Sequence, residues 1–420
     1  MYKIKTLPNG LTLITIHIPT LESVTTLLAV GAGSRYEARN INGISHFLEH
    51  MFFKGSKKYP SAEQIATMVD SIGAINNAAT DKEVTLYWIK SASKHIELSS
   101  DILSSMLKEP LLESDEIEKE KGVIVEELRM FKDMPARYVW DLYENLQFGD
   151  QPLGWDIGGD EKTVMDLKRD DFLNYMNSLY KAENMALVYV GNLPENIEEL
   201  AIKYFADLQR GAKNSFKPYH WEEQKEPRVN IYYKKTDQVN LILGVEGYDR
   251  EDDRRYAARV LGIILGEGMS SRLFNEIRMK RGFAYHVSAG HSSYHDTGNF
   301  AVFGGLKLEK VKEALKVILE QLEKASKEVV SLDELKKAKE MERGRVALRS
   351  ESTNFLAEHF GVKFVLDREL ETFDEYLAKI DAVTAEEVKQ VAIDLFQSKK
   401  FNLQIIGPLE NTDEFKLLLK

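Results

Sequence analysis

The chain has 420 residues, 43% of them hydrophobic, and a formal charge of −11 from 56 basic and 67 acidic residues. That length exceeds one ordinary core and predicts two domains, while an acidic balance without basic blocks excludes a nucleic-acid groove and a partner membrane of anionic lipid. There is no cysteine, which excludes disulfides, thiolate zinc sites and cysteine nucleophiles, leaves any metal to His, Asp or Glu, and fits a reducing, cytoplasmic setting.

In chain order, MYKIKTLPNGLTLITIHIP sets Pro8, Asn9 and Gly10 between two alternating runs, the pattern of a β-hairpin rather than a signal peptide. Strand patterns cover Thr12–Ile18, Val24–Val30, Val84–Lys90 and Ala186–Val190. Helical periodicity covers Ala62–Ile72, Ile96–Leu107 and Asp115–Lys132, the last with Ser114 as its N-cap and Pro135 closing it. No apolar run is long enough to span a bilayer.

The chain is also written twice. LKRDDFLNYMNSLYKAENMALVYVGNL from Leu167 lies without a gap on VTAEEVKQVAIDLFQSKKFNLQIIGPL from Val383, at a constant offset of 216 (407 − 191, Gly191 on Gly407). SVTTLLAVGAGSRYE at Ser23 matches QVNLILGVEGYDRED at Gln238 more loosely. A repeat of this length predicts two copies of one domain, each an α+β or mixed α/β sandwich of a sheet with helices against it. The expected division is 1–210, a linker at 211–227 rich in glycine, proline and charge, and 228–420.

Chemistry concentrates in HFLEH. On a helix, His46 and His50 are one turn apart and can offer both imidazoles to a single ion, and Glu49 lies close enough to act as a base on a bound water. A third ligand must come from elsewhere. Glu120 and Glu127 are seven residues apart and share a helix face, but the same helix carries Glu116, Glu118 and Glu126, so spacing alone does not separate a ligand from a solvated charged face.

The run HFLEHMFFKG, with a glutamate 77 positions beyond the second histidine (127 − 50), resembles the pitrilysin/insulinase family of inverted zinc peptidases. VGAGSRYE before it and IGAINNAATDKEVTLYW after it are similar to family stretches, and the likeness extends over nearly the whole chain. It implies a zinc metalloendopeptidase with one zinc ion per chain on His46, His50 and Glu127, Glu49 as base and then acid, and Glu120 supporting from behind. The implied fold is the processing-peptidase (LuxS-like metallohydrolase) type, two duplicated domains that each pack helices on a mainly antiparallel sheet.

The second copy lacks the histidine pair, but GEGMSSRLFNEIRMKRGFAYHVSAG resembles the family's C-terminal motif, in which Arg278 and Tyr285 would contact substrate. Ala74, Ile75, Asn76, Asn77, Ala78 and Ala79 resemble its substrate-binding edge strand, where a peptide is held by main-chain hydrogen bonds. Length and single duplication resemble the short, mitochondrial-processing-peptidase-like branch, whose chains pair around a closed chamber. A homodimer acting on oligopeptides or unfolded segments is therefore expected. A non-catalytic scaffold subunit of the same fold and a small-molecule metallohydrolase are the alternatives. His286, His291 and His295 lie in a strand and hairpin pattern whose spacing does not converge on one ion, and His359 reads as structural.

Overall fold

The computed structural model describes residues 2–212, 215–220 and 222–420. Two compact units emerge, each built on one sheet. In the first, β1 (Lys3–Thr6), β2 (Thr12–His17), β3 (Ser23–Val30), β4 (Ile75–Thr80), β5 (Thr85–Ala92) and β6 (Met185–Gly191) lie in the order β1-β2-β6-β3-β5-β4. In the second, β7 (Arg228–Tyr233), β8 (Gln238–Gly247), β9 (Ala284–Ser293), β10 (Gly298–Lys307) and β11 (Asn402–Gly407) run β7-β11-β8-β10-β9.

All neighbours are antiparallel except β2 with β6 and β7 with β11. The duplication is preserved in the register itself. Thr12 faces Ala186 in one sheet and Arg228 faces Asn402 in the other, both partners moved by 216 positions (228 − 12 and 402 − 186). The fold is α+β as expected, and Pro8–Gly10 turns the hairpin from β1 to β2.

The units are not contiguous in sequence. The first comprises Met1–Arg129, Trp155–Lys217 and Ala347–Glu371, and the second Met130–Gly154, Pro218–Val346 and Thr372–Lys420. Helix Pro135–Phe148 thus belongs with the second sheet and helix Thr353–Asp367 with the first, so each expected half contributes one helix to the other's unit. Their composition gives the reason. Val139 and Tyr143 pack with Ile242, Ala301, Phe303 and Ile406 of the second sheet, while Gly361 brings its helix close to Leu27, Ala29 and Val188 of the first. A sheet sealed on both faces buries residues at successive positions, as along all of β6 (MALVYVG) and along β3 after Ser23, where Leu27–Val30 is continuously apolar.

On the opposite face of the first sheet, Leu13, Leu28, Leu187 and Tyr189 meet Phe47, Leu48, Ile102, Leu103, Ile124 and Phe172 from the covering helices. The expected linker carries no helix or strand among its described residues; 213, 214 and 221 lie outside them. Two local expectations change. Ser114, expected as an N-cap, is the first residue of helix Ser114–Lys132, and Pro135 opens the following helix, where its missing N–H would have had no partner anyway.

Candidate metal centre

Helix Ile44–Phe52 begins at Gly43, whose φ of 98° and whose approach to the Gly158 carbonyl leave no room for a side chain. Gly43 has no side chain to cap the helix, and Glu37 supplies the acceptor instead. Its carboxylate accepts the N–H groups of Gly43 at 2.8 Å and Ser45 at 2.9 Å, the Asn42 amide at 2.8 Å and the Ser45 hydroxyl. A buried acid at the positive end of the dipole thus fixes where the helix starts and which way its side chains turn. Burial pushes Glu37 up to about 7, and its four donors work against a further rise.

From this helix His46 and His50 project together, their ring centroids 4.7 Å apart. Glu127 meets them from helix Ser114–Lys132, its Oε2 3.8 Å from His46 Nε2 and 3.4 Å from His50 Nε2. Among the described residues this is the only group of three or more His, Asp or Glu with ligand atoms all within 4.8 Å of one another. Zinc bonds of about 2.0–2.1 Å in a tetrahedral site set neighbouring donors about 3.3 Å apart, so the donor set fits the ion with small adjustments.

Glu120, buried two helical turns before Glu127, stands behind His50. Its Oε1 accepts from His50 Nδ1 at 3.0 Å and its Oε2 accepts from Lys54 Nζ at 2.5 Å. That hydrogen bond puts the proton on Nδ1 and leaves Nε2 for the metal side. Burial alone would raise Glu120, but His50 and Lys54 outweigh it and hold the carboxyl below its usual value. Burial works against a charged His50 as well, yet the Glu120 and Glu127 carboxylates lift it to about 9. A divalent cation would meet the same excess of negative charge.

Glu49 is half-buried, raised by that burial, and accepts a hydrogen bond from the Thr80 hydroxyl. Thr80 ends β4, the outermost strand of its sheet, which pairs only with β5 among the described residues. Ile75, Asn77 and Ala79 are exposed and Asn76 and Ala78 half-buried, so the segment is an open edge strand; Ala74 lies one residue before it.

In the second unit, Arg278 and Tyr285 come together, the guanidinium carbon 5.0 Å from the tyrosine ring centroid. Both sit on irregular backbone. Arg278 lies in a single π-helical turn, Phe274–Met279. Tyr285 is the extra residue where β9 slips against β10, since Gly305 faces His286 and Leu306 faces Ala284. The bulge turns Tyr285 outward, 75% exposed, where strand alternation would have half-buried it. His291 accepts the Tyr248 N–H at 2.9 Å and is pushed down to about 4 by burial, a structural role; His359 stacks on Phe355 and meets Phe360 edge to face.

Three contributors escape sequence reasoning. Lys54 lies four residues after His50 in the same run, and its spacing could have suggested the face it shares. Glu37 and Thr80 sit in the flanking family-like stretches, but only the folded sheet and loop carry them to the helix, so no spacing points to them.

A model described as insulinase (peptidase family M16) matches residues 12–161, and one described as the peptidase M16 inactive domain matches residues 166–342. The uncharacterized zinc protease YmxG of Bacillus subtilis is 34% identical over 98% of this chain and 99% of its own length. An uncharacterized zinc protease of Streptomyces coelicolor is 33% identical over 98% and 91%. A protease from Helicobacter pylori has the same fold, with a TM-score of 0.91 at 23% identity over 97% of this chain and 99% of that one. No helix of the described residues is long and apolar enough to cross a membrane. The chain belongs to the pitrilysin/insulinase family, peptidase family M16, whose members similar to it carry the name zinc protease.

Proposed function

We propose that the chain is a zinc-dependent endopeptidase acting on oligopeptides or unfolded segments. The observation that carries this reading is the convergence of His46, His50 and Glu127 with Glu49 one residue away and an open edge strand at Thr80. His46, His50 and Glu127 would hold the ion, and Glu120 would keep the His50 tautomer that faces it.

When bound, zinc supplies Lewis acidity, polarising a carbonyl and bringing a water close to ionisation at neutral pH. Glu49 takes the proton of the attacking water as the new C–O bond forms, and returns it to the amide nitrogen as the C–N bond breaks. The edge strand from Ile75 to Thr80 holds the peptide by its backbone, which favours extended chains over folded ones. Arg278, with five donors, and Tyr285, with a phenolic hydroxyl, suit contact with peptide carbonyls, and their placement on a π-turn and a bulge favours a functional role. One chain carries both motifs, which supports pairing of identical chains.

The test is Glu49→Gln, assayed with internally quenched peptides at equal zinc occupancy. The expected result is a loss of about 10²–10⁴ in kcat with zinc binding kept. A variant that binds zinc and cleaves at the wild-type rate would refute the mechanism, and wild-type protein that turns over small esters but no peptide would favour the small-molecule alternative.

A further inference from the structure

We propose that Thr80 is a positioning residue for the Glu49 carboxylate and ties the peptide-binding edge to the base. The inference rests on the role given to Glu49 above. Thr80 Oγ1 donates to Glu49 Oε2, the only hydrogen bond to that side chain among the described residues, so it decides which oxygen is committed and which is left to exchange a proton. A glutamate on a helix surface otherwise has several rotamers open to it.

The donor is itself held firmly. Thr80 faces Thr85 across a tight turn closed by the Asp81 N–H on the Val84 carbonyl at 2.9 Å, and the Thr85 hydroxyl donates to the Ala32 carbonyl at 3.0 Å. Within that turn Glu83 pairs with Arg35 at 2.6 Å, both side chains almost fully buried. The Arg35 N–H donates to the Lys82 carbonyl at 2.8 Å, and the Ser34 N–H to the Asp81 carbonyl at 3.3 Å. Gly33 permits this approach, because a Cβ there would lie 2.3 Å from the Asp81 carbonyl oxygen.

The strand is thus anchored at its Thr80 end, while Ile75 at the other end is 62% exposed. A peptide added to this edge takes its register from the same backbone that carries the Thr80 hydroxyl. The base and the scissile bond are in this way referred to one rigid turn, a form of preorganisation that acts on the chemical step rather than on affinity.

Three full-length variants test the idea: Thr80→Val, which keeps shape and removes the donor, Thr80→Ser, which restores it, and Glu49→Gln as reference. For Thr80→Val, kcat should fall about 10–100-fold, the equivalent of one hydrogen bond to a charged group, with KM within about twofold. Zinc affinity measured against a competing chelator and the melting temperature should stay as in wild type, and a crystal structure of the metal-free variant should show Glu49 in another rotamer. Thr80→Ser should recover most of the rate. Wild-type kcat in Thr80→Val beside an inactive Glu49→Gln overturns the inference alone. An unmoved Glu49 rotamer, or a loss expressed as weaker zinc binding or lower melting temperature, overturns it too. A fully active, zinc-loaded Glu49→Gln instead overturns the mechanism on which it rests.

Discussion

In the first unit, the helix that follows β3 carries His46, Glu49 and His50 towards Glu120 and Glu127 on helix Ser114–Lys132. In the second, the helix that follows β8, Arg254–Gly266, sends Arg259 to Glu342 on helix Leu332–Arg349, with hydrogen bonds of 2.6 and 3.1 Å. Glu267 also pairs with Arg259, and the Tyr376 hydroxyl donates to Glu342 at 2.7 Å. Glu127 and Glu342 are 215 positions apart (342 − 127), almost the repeat offset, so related helices present an acid in both units. One unit surrounds its acids with imidazoles that can share a metal ion, and the other satisfies them with a guanidinium of its own. The scaffold and its register are common to both, and the chemistry is set by a few side chains placed on them.

The metal side of this comparison is the first to break. Zinc bound only to the folded chain adds RT ln(1 + [Zn]/Kd) to its stability, about 2.7 kcal/mol at one hundred times Kd. His50→Ala removes one of three donors and should weaken zinc by more than the roughly 10–100-fold that follows loss of an outer partner. The zinc-dependent rise in urea midpoint should then vanish. Retention of that rise in His50→Ala would mean that the ion binds elsewhere.

Breaking the ionic side should act on stability and leave zinc alone. Arg259→Met takes a cation from buried Glu342 and half-buried Glu267 and should cost about 2–3 kcal/mol, below the full penalty for an orphaned charge because Tyr376 still contacts Glu342 and Arg345 still pairs with Glu267. Urea unfolding measures the loss, and zinc affinity should be unchanged. A cost under about 0.5 kcal/mol would place the network with ordinary surface ion pairs.

Much of this comparison is legible in the sequence, for a physical reason. Strand runs such as MALVYVG and NLQIIG, and the two-histidine turn of HFLEH, are local patterns, because period and spacing are properties of the backbone. The constant offset carries over intact into the pairing of β2 with β6 and of β7 with β11. What stays hidden depends on chain crossing between elements. Nothing near Val139 or Gly361 announces that these two helices cover each other's sheets, since an apolar helix face fits either sheet equally well on paper. Glu37 at the start of the histidine helix and Thr80 on Glu49 are brought in by loops and sheet register, and the outward turn of Tyr285 needs a bulge that alternation cannot foresee.

Those two covering helices allow the finest test, because each meets its sheet through a glycine but on opposite sides of the contact. Gly244 lies on β8, and a Cβ there would fall 2.0 Å from the Tyr143 hydroxyl, whose ring is fully buried and hydrogen-bonded to Gln147. Gly244→Ala must displace the whole ring, with an expected cost of about 3 kcal/mol, at the upper end of overpacking. Gly361 lies on the helix, and its added Cβ would meet Leu27 Cδ2 at 3.0 Å and Ala29 Cβ and Val188 Cγ2 at 3.2 Å. The two side-chain ends can give by a few tenths of an ångström, although Ala29 cannot, and alanine gains about 1 kcal/mol over glycine in a helix. That gain offsets only part of the packing cost, so Gly361→Ala should lower stability by only about 1 kcal/mol in urea unfolding. If Gly361→Ala proved the more damaging of the two, helix Thr353–Asp367 would be seated more rigidly on its sheet than Pro135–Phe148 is, and the packing of the two units would differ as their chemistry does.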